Sequence, residues 1–137
     1  MQKLSSVLLV DDDESTNYLN THLLKQLGVT DHVLVAHNGQ EALALLAHHC
    51  AAAGAACPAL VLLDLHMPVM GGIDFLAAYQ PQPPAQAIYV VILTSSAHPH
   101  DLARLRGLRH IAVLQKPLTR AKIDALLQEH FQRQLAA

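Results

Sequence analysis

Five short, nearly continuous apolar runs recur along this chain, and each is followed by a segment of helical periodicity. The runs cover residues 7–10, 32–36, 60–63, 88–93 and 111–114. Most lack strict polar alternation, as expected of parallel strands covered on both faces, and their β-branched content favours strand over buried helix. Between them, Tyr18, Leu19, Leu23, Leu24 and Leu27 fall at helical spacing over residues 14–27, with Gly28 as a stop. A second helix is expected over residues 39–53, with Asn38 as N-cap and Gly54 as its stop. A shorter one follows Gly72, another runs from Pro99 to near Gly107, and the last begins after Thr119. Five β-α units in series imply a doubly wound parallel sheet with helices on both faces. The stretch Pro81-Gln82-Pro83-Pro84 reads as a stiff surface loop, and residues 51–56 as an alanine-rich exit from the second helix.

A chain of 137 residues is the size of one domain. With 52% hydrophobic and 15% charged residues it can build a core and is not a disordered chain. A net charge of -2 excludes a molecule that binds nucleic acid by charge alone. Seven of the nine Lys and Arg residues nevertheless lie from Arg104 onward, which marks the late helices as a candidate partner or dimer face. The two cysteines, Cys50 and Cys57, are not expected to form a disulfide framework. No signal segment leads the chain, and no apolar run approaches the roughly 18 residues of a membrane helix. The expectation is a soluble, cytoplasmic protein.

In open α/β sheets, ligands bind at the carboxyl ends of the strands. The first run ends in Asp11-Asp12-Asp13, the third in Asp64, the fourth in Thr94-Ser95 and the fifth near Lys116-Pro117. If the first and third strands are neighbours, several carboxylates converge at one edge, where a divalent cation would relieve their repulsion. Oxygen-only ligands suit Mg2+ or Mn2+ rather than zinc. A carboxylate can attack a phosphoryl group and form an acyl phosphate. Lys116 could neutralise the transferring group, and the Thr94 hydroxyl could donate to one of its oxygens. Ten histidines invite a transition-metal reading, but neither His48-His49 nor His98 and His100 has the i, i+4 spacing of a helical zinc site.

Four motifs in order carry a resemblance: residues 7–13 (Val-Leu-Leu-Val-Asp-Asp-Asp), 62–72 (Leu-Leu-Asp-Leu-His-Met-Pro-Val-Met-Gly-Gly), 91–95 (Val-Ile-Leu-Thr-Ser) and Lys116-Pro117. Over essentially its whole length the chain resembles the receiver domain of two-component response regulators, in the single-domain, chemotaxis-regulator style. The resemblance implies a flavodoxin-like (βα)5 fold with strand order 2-1-3-4-5. It implies one receiver domain over residues 1–137, with a core of about 4–134 and no output domain. Asp64 would accept a phosphoryl group from a histidine kinase or a histidine phosphotransfer protein. Asp11, Asp12, Asp64 and the backbone carbonyl of His66 would hold the metal. Lys116 would pair with the phosphoryl oxygens, before a cis bond to Pro117. Thr94 would report phosphorylation, Ser95 would leave room for the substituted aspartate, and His66 and Ser96 would tune hydrolysis. The domain would promote its own phosphorylation and dephosphorylation without being a metabolic enzyme. Its output would be partner binding through the helix 4–strand 5–helix 5 face, with a homodimer as one possibility and no contact with nucleic acid or membrane.

The chain departs from that pattern at Val113, where the family often has an aromatic gate, and at Met70-Gly71-Gly72, where Met-Asp-Gly is usual. Two other readings compete. Asp11-x-Asp13 resembles the start of the haloacid-dehalogenase phosphatases, in which Asp11 would be the nucleophile. A receiver-like module that is never phosphorylated is the third, and the complete acidic set argues against it. Asp13 also suits the bland role of capping the first helix.

Overall fold

Alternate residues of each central strand point to opposite faces of one sheet, and both faces are buried. In the computed structural model, which describes residues 2–50, 57–79, 88–95, 98–133 and 135, the strands are β1 (Val7–Val10), β2 (Val33–Ala36), β3 (Leu60–Leu63), β4 (Tyr89–Thr94) and β5 (Ala112–Gln115). They pair in parallel in the order β2-β1-β3-β4-β5. Leu8, Val10, Val61, Leu63, Val90 and Ile92 supply one core, and Val7, Leu9, Leu60, Leu62, Val91 and Leu93 the other. A strand dry on both faces must be apolar at every position, which is why these runs show no alternation.

Helices α1 (Glu14–Gln26), α2 (Gly39–His49), α3 (Gly72–Ala78), α4 (Pro99–Leu105) and α5 (Arg120–Leu126) follow the strands in turn, and α5 continues through a wider turn over Leu127–Phe131. Leu24 of α1 and Ile123 and Leu126 of α5 pack on one face. Ala42 and Leu46 of α2, Phe75 and Leu76 of α3 and Leu105 of α4 pack on the other. The expected caps are present: Asn38 accepts from the amide of Glu41 at 2.8 Å and Thr119 from that of Lys122 at 3.2 Å. Asp13 caps α1 through the amide of Ser15 at 3.0 Å and also accepts from the Thr16 hydroxyl. The Thr16 and Ser15 hydrogen bonds hold its carboxyl below the usual carboxylate range. Gly28 ends α1 at φ 72°.

One expectation is corrected. Cys50 and Cys57 form a disulfide. The two Cα atoms lie 4.6 Å apart, within bridging range. Closing so short a loop contributes on the order of 2 kcal/mol. The helix expected over residues 14–27 is present as α1, with Leu24 buried and Leu23 and Leu27 packed beside it. Tyr18 and Leu19 are 73% and 63% exposed, and Asn17 and Asn20 are buried instead. The helix starts beside the polar carboxyl edge of the sheet, where a backbone carbonyl needs a donor. The helix-two residues expected at 51–53, the Ala-rich exit and the Pro81–Pro84 loop lie outside the described residues.

The β3–α3 loop contains a strained residue. Val69 has φ 69° and is 79% exposed. A β-branched residue in the left-handed region is an outlier that costs about 1–2 kcal/mol. Glycine avoids this cost but loses more entropy on folding. Val69→Gly is therefore expected to raise the unfolding free energy by about 0.5–1 kcal/mol, read as a higher urea midpoint at unchanged m. A lower midpoint would contradict the strain argument.

Candidate functional site

The carboxyl edge of the sheet gathers the residues that end four strands. The amide of Asp11 donates to Ala36 O at 3.0 Å, and that of Asp64 to Val10 O at 2.9 Å, so both aspartates extend the ladder by one step before the chain leaves the sheet. Asp11 and Asp64 are buried and Asp12 is exposed. Their carboxylates each offer an oxygen within 4.8 Å of the others.

Lys116 reaches this cluster from the end of β5. Its amide donates to Thr94 O at 2.8 Å, which pins the chain to the end of β4. Its Nζ donates to Asp11 Oδ2 at 2.6 Å and stands 3.7 Å from Asp64 Oδ2. Burial works against the charged ammonium, but the Asp11 hydrogen bond and the Asp64 charge outweigh it and raise its pKa. The Lys116–Pro117 peptide is cis, as the sequence implied.

The two buried aspartates differ in how fully they are occupied. Asp11 Oδ2 accepts from Lys116, and its Oδ1 accepts from the Asp13 amide at 2.9 Å. Asp64 Oδ1 accepts from the Leu65 amide at 2.9 Å, while among the described residues Oδ2 has the longer 3.7 Å Lys116 approach. Burial pushes the Asp64 carboxyl upward. Lys116 opposes that, Asp11 adds to it, the Leu65 hydrogen bond opposes it and Asp12 adds to it. Asp64 is thus the less satisfied acceptor, with its carboxyl pushed above the ordinary carboxylate range. That is the property a nucleophilic carboxylate needs, and it does not favour Asp11 in that role.

Thr94 is fully buried at the end of β4, and Ser95 after it is exposed. Ser96 lies outside the described residues. Val113 pairs with Ile92 across β4 and β5 and packs, partly buried, against the core on the α4 side. Pro117 is exposed. His66 is exposed, and its Nε2 lies 3.0 Å from Asp101 Oδ2 in the first turn of α4. Met67 and Met70 pack against the same core.

Two supporting residues escaped the sequence reading, and a third, Gly72, was read there only as a helix start and part of a motif. Asn17 is buried and its Nδ2 donates to Asp11 O at 2.8 Å, which fixes the turn out of β1. Its only sequence signal was a polar residue three positions before another, Asn20, on one helix face. Asp101 looks from sequence like an ordinary acid in a first helical turn, yet it is buried. Gly72 donates its amide to Leu65 O at 2.9 Å, and a Cβ there would collide with the Asp64 carbonyl oxygen.

An all-oxygen set with three negative charges, offset by one lysine, suits a hard divalent cation. Among the described residues this is the one cluster of three or more potential ligands.

Comparison with known proteins agrees with this geometry. Residues 7–128 match the model of the response regulator receiver domain. The chain is 30% identical over 128 residues to a probable chemotaxis protein CheY of Rhizobium etli, covering 91% of each. A two-component response regulator from Cytophaga hutchinsonii superposes with a TM-score of 0.80 at 28% identity, covering 96% of this chain and 100% of that one. The manganese-bound form of response regulator Rcp1 gives a TM-score of 0.71 at 26% identity, covering 96% and 99%.

Proposed function

This chain belongs to the response regulator receiver family, and from that premise we propose that Asp64 is its phosphoacceptor. The observation that carries the assignment is the contrast between the two buried aspartates: each oxygen of Asp11 already accepts a hydrogen bond, from Lys116 or the Asp13 amide, which leaves it lone pairs for a cation, and Asp64 Oδ2 has the longer 3.7 Å Lys116 approach. In the transfer, an oxygen of Asp64 forms the new bond to phosphorus as the bond from phosphorus to the donor's imidazole nitrogen breaks. The nitrogen keeps that electron pair. The Leu65 amide holds the carboxylate in orientation. Lys116 is already charged and directed into the site, so it can follow the phosphoryl oxygens without recruiting a proton. Thr94, buried at the end of β4, would report the added group through its hydroxyl.

Asp11, Asp12 and Asp64, with the His66 carbonyl, would hold Mg2+ or Mn2+. The ion would neutralise charge on the transferring group. The Rcp1 relative in its manganese-bound form supports this reading. Receiver domains signal through protein partners. Here the donor would be a histidine kinase or histidine phosphotransfer protein in the cytoplasm. The output face would be α4–β5–α5, where Arg104, Arg106, Arg109 and Arg120 are exposed around an edge strand. Among the described residues, no helix is long and apolar enough to cross a membrane.

The test is labelling with acetyl phosphate. Label is expected on Asp64, located by peptide mass after hydride trapping of the acyl phosphate. It should require Mg2+ or Mn2+ and vanish with EDTA. Metal-independent labelling, or label on Asp11 that survives Asp64→Asn, would refute the assignment. The second outcome would restore the phosphatase-type reading.

A further inference from the structure

We propose that Asp101 is a positioning residue that couples the phosphoacceptor loop to α4 through the His66 side chain. Resting on the assignment of Asp64, the proposal adds a route by which its state reaches the output face. The need for such a route arises at Val113, which offers no aromatic ring to carry the signal along β5. His66 is placed to do this because its two ends face different elements. Its backbone lies two residues past Asp64, on the loop that the metal and the phosphoryl group would pull. Its imidazole meets a helix 35 residues further along the chain.

The contact has a defined chemistry. A carboxylate oxygen only accepts, so the ring's Nε2 carries the hydrogen and donates to Asp101 Oδ2 at 3.0 Å. The Asp101 side chain is 8% exposed and the His66 side chain 61%, so the imidazole lies over a carboxylate that is otherwise closed in. Separating them would leave a buried carboxylate without this donor, which is costly unless α4 shifts to rehydrate it. The helix is short, seven residues, and joins Thr94 through residues 95–98. A movement of the β3–α3 loop therefore acts on α4 from one side while Thr94 acts through the β4–α4 connection from the other. Coupling of this kind needs two arrangements of α4, and the His66–Asp101 bond biases the choice between them.

Beryllofluoride with Mg2+ serves as the probe in an amide NMR titration of the full chain. The response is the shift of the Leu102, Ala103 and Leu105 amides, normalised to the fraction of protein carrying beryllofluoride at Asp64. Asp101→Ala is expected to retain beryllofluoride binding while the α4 response falls about twofold or more, in the range of mutations along a coupling path. Asp101→Asn keeps an acceptor oxygen and should restore most of it. His66→Ala should lower the normalised response as much as Asp101→Ala, and the double variant should add little. If Asp101→Ala does not fold, the mostly exposed His66 carries the test alone. An α4 response unchanged in either folded variant, or strictly additive losses, would overturn the coupling. A wild-type chain in which beryllofluoride perturbs nothing near Asp64 would overturn the phosphoacceptor assignment, and the coupling with it.

Discussion

Asp64→Asn is expected to abolish phosphate incorporation and, at neutral pH, to make the domain more stable. The loss follows from removing the nucleophile. An amide cannot form the acyl phosphate, and removal of a nucleophile typically costs at least about 1,000-fold. The gain follows from the raised pKa of Asp64, which burial causes first, with Asp11 and Asp12 adding to it against Lys116 and the Leu65 amide. A carboxyl raised above its ordinary 3.8 binds more protons folded than unfolded in the window just above that value. Stability then falls as pH rises through the folded pKa, and the penalty persists at pH 7. The amide carries no charge at any of these pH values. The variant's advantage should therefore be small near pH 3 and reach a plateau at neutral pH, on the order of 1 kcal/mol, typical where activity opposes stability. Urea unfolding at several pH values checks it. A variant less stable than wild type at pH 7 would show that Asp64 is satisfied rather than held in reserve.

Lys116→Ala should have the opposite signature, losing both function and stability. Without the ammonium, Asp11 loses its 2.6 Å partner and three carboxylates face one another with no cation. Breaking a largely buried pair from one side costs about 3 kcal/mol. Phosphate incorporation from acetyl phosphate should fall about 100- to 1,000-fold, the usual effect of removing one charge-stabilising donor. The pH dependence identifies the cause. Lys116 holds Asp64 down, so its removal raises that carboxyl further, and the stability deficit should shrink as pH falls through the Asp64 titration. In the wild type, the raised pKa of Lys116 keeps its contribution fully present below 10.5 and loses it only as pH rises beyond, through the folded value. A deficit that does not change with pH would point to lost packing of the aliphatic stem instead.

The elements and the gathering of polar side chains at the sheet edge were legible because both obey short-range rules. A strand dry on both faces must be apolar throughout, and a residue ending such a strand must sit at the sheet edge. Asp11, Asp64, Thr94 and Lys116 could therefore be placed together from four separate stretches of sequence. The capping roles of Asp13, Asn38 and Thr119 were equally local. What stayed hidden depends on side chains meeting across long sequence distances or against the local pattern. Asp101 looks like any acid after a helix-starting proline, and nothing near it reveals His66. Asn17 is buried because of what the end of β1 requires, which the helical spacing of its neighbours does not show. Cys50 and Cys57 pair the end of α2 with the approach to β3, which two isolated cysteines cannot reveal.

Gly72 has a consequence for genetics. Its missing side chain lets α3 begin against the Asp64 carbonyl, so any other residue would push on the backbone that carries Asp64. In a saturation screen scored only by signalling output, position 72 should rank beside Asp64 in intolerance, although it donates nothing to the phosphoryl group. A screen scored by abundance would separate the two: alleles at 72 would deplete the protein, whereas an amide at 64 would leave it plentiful and silent.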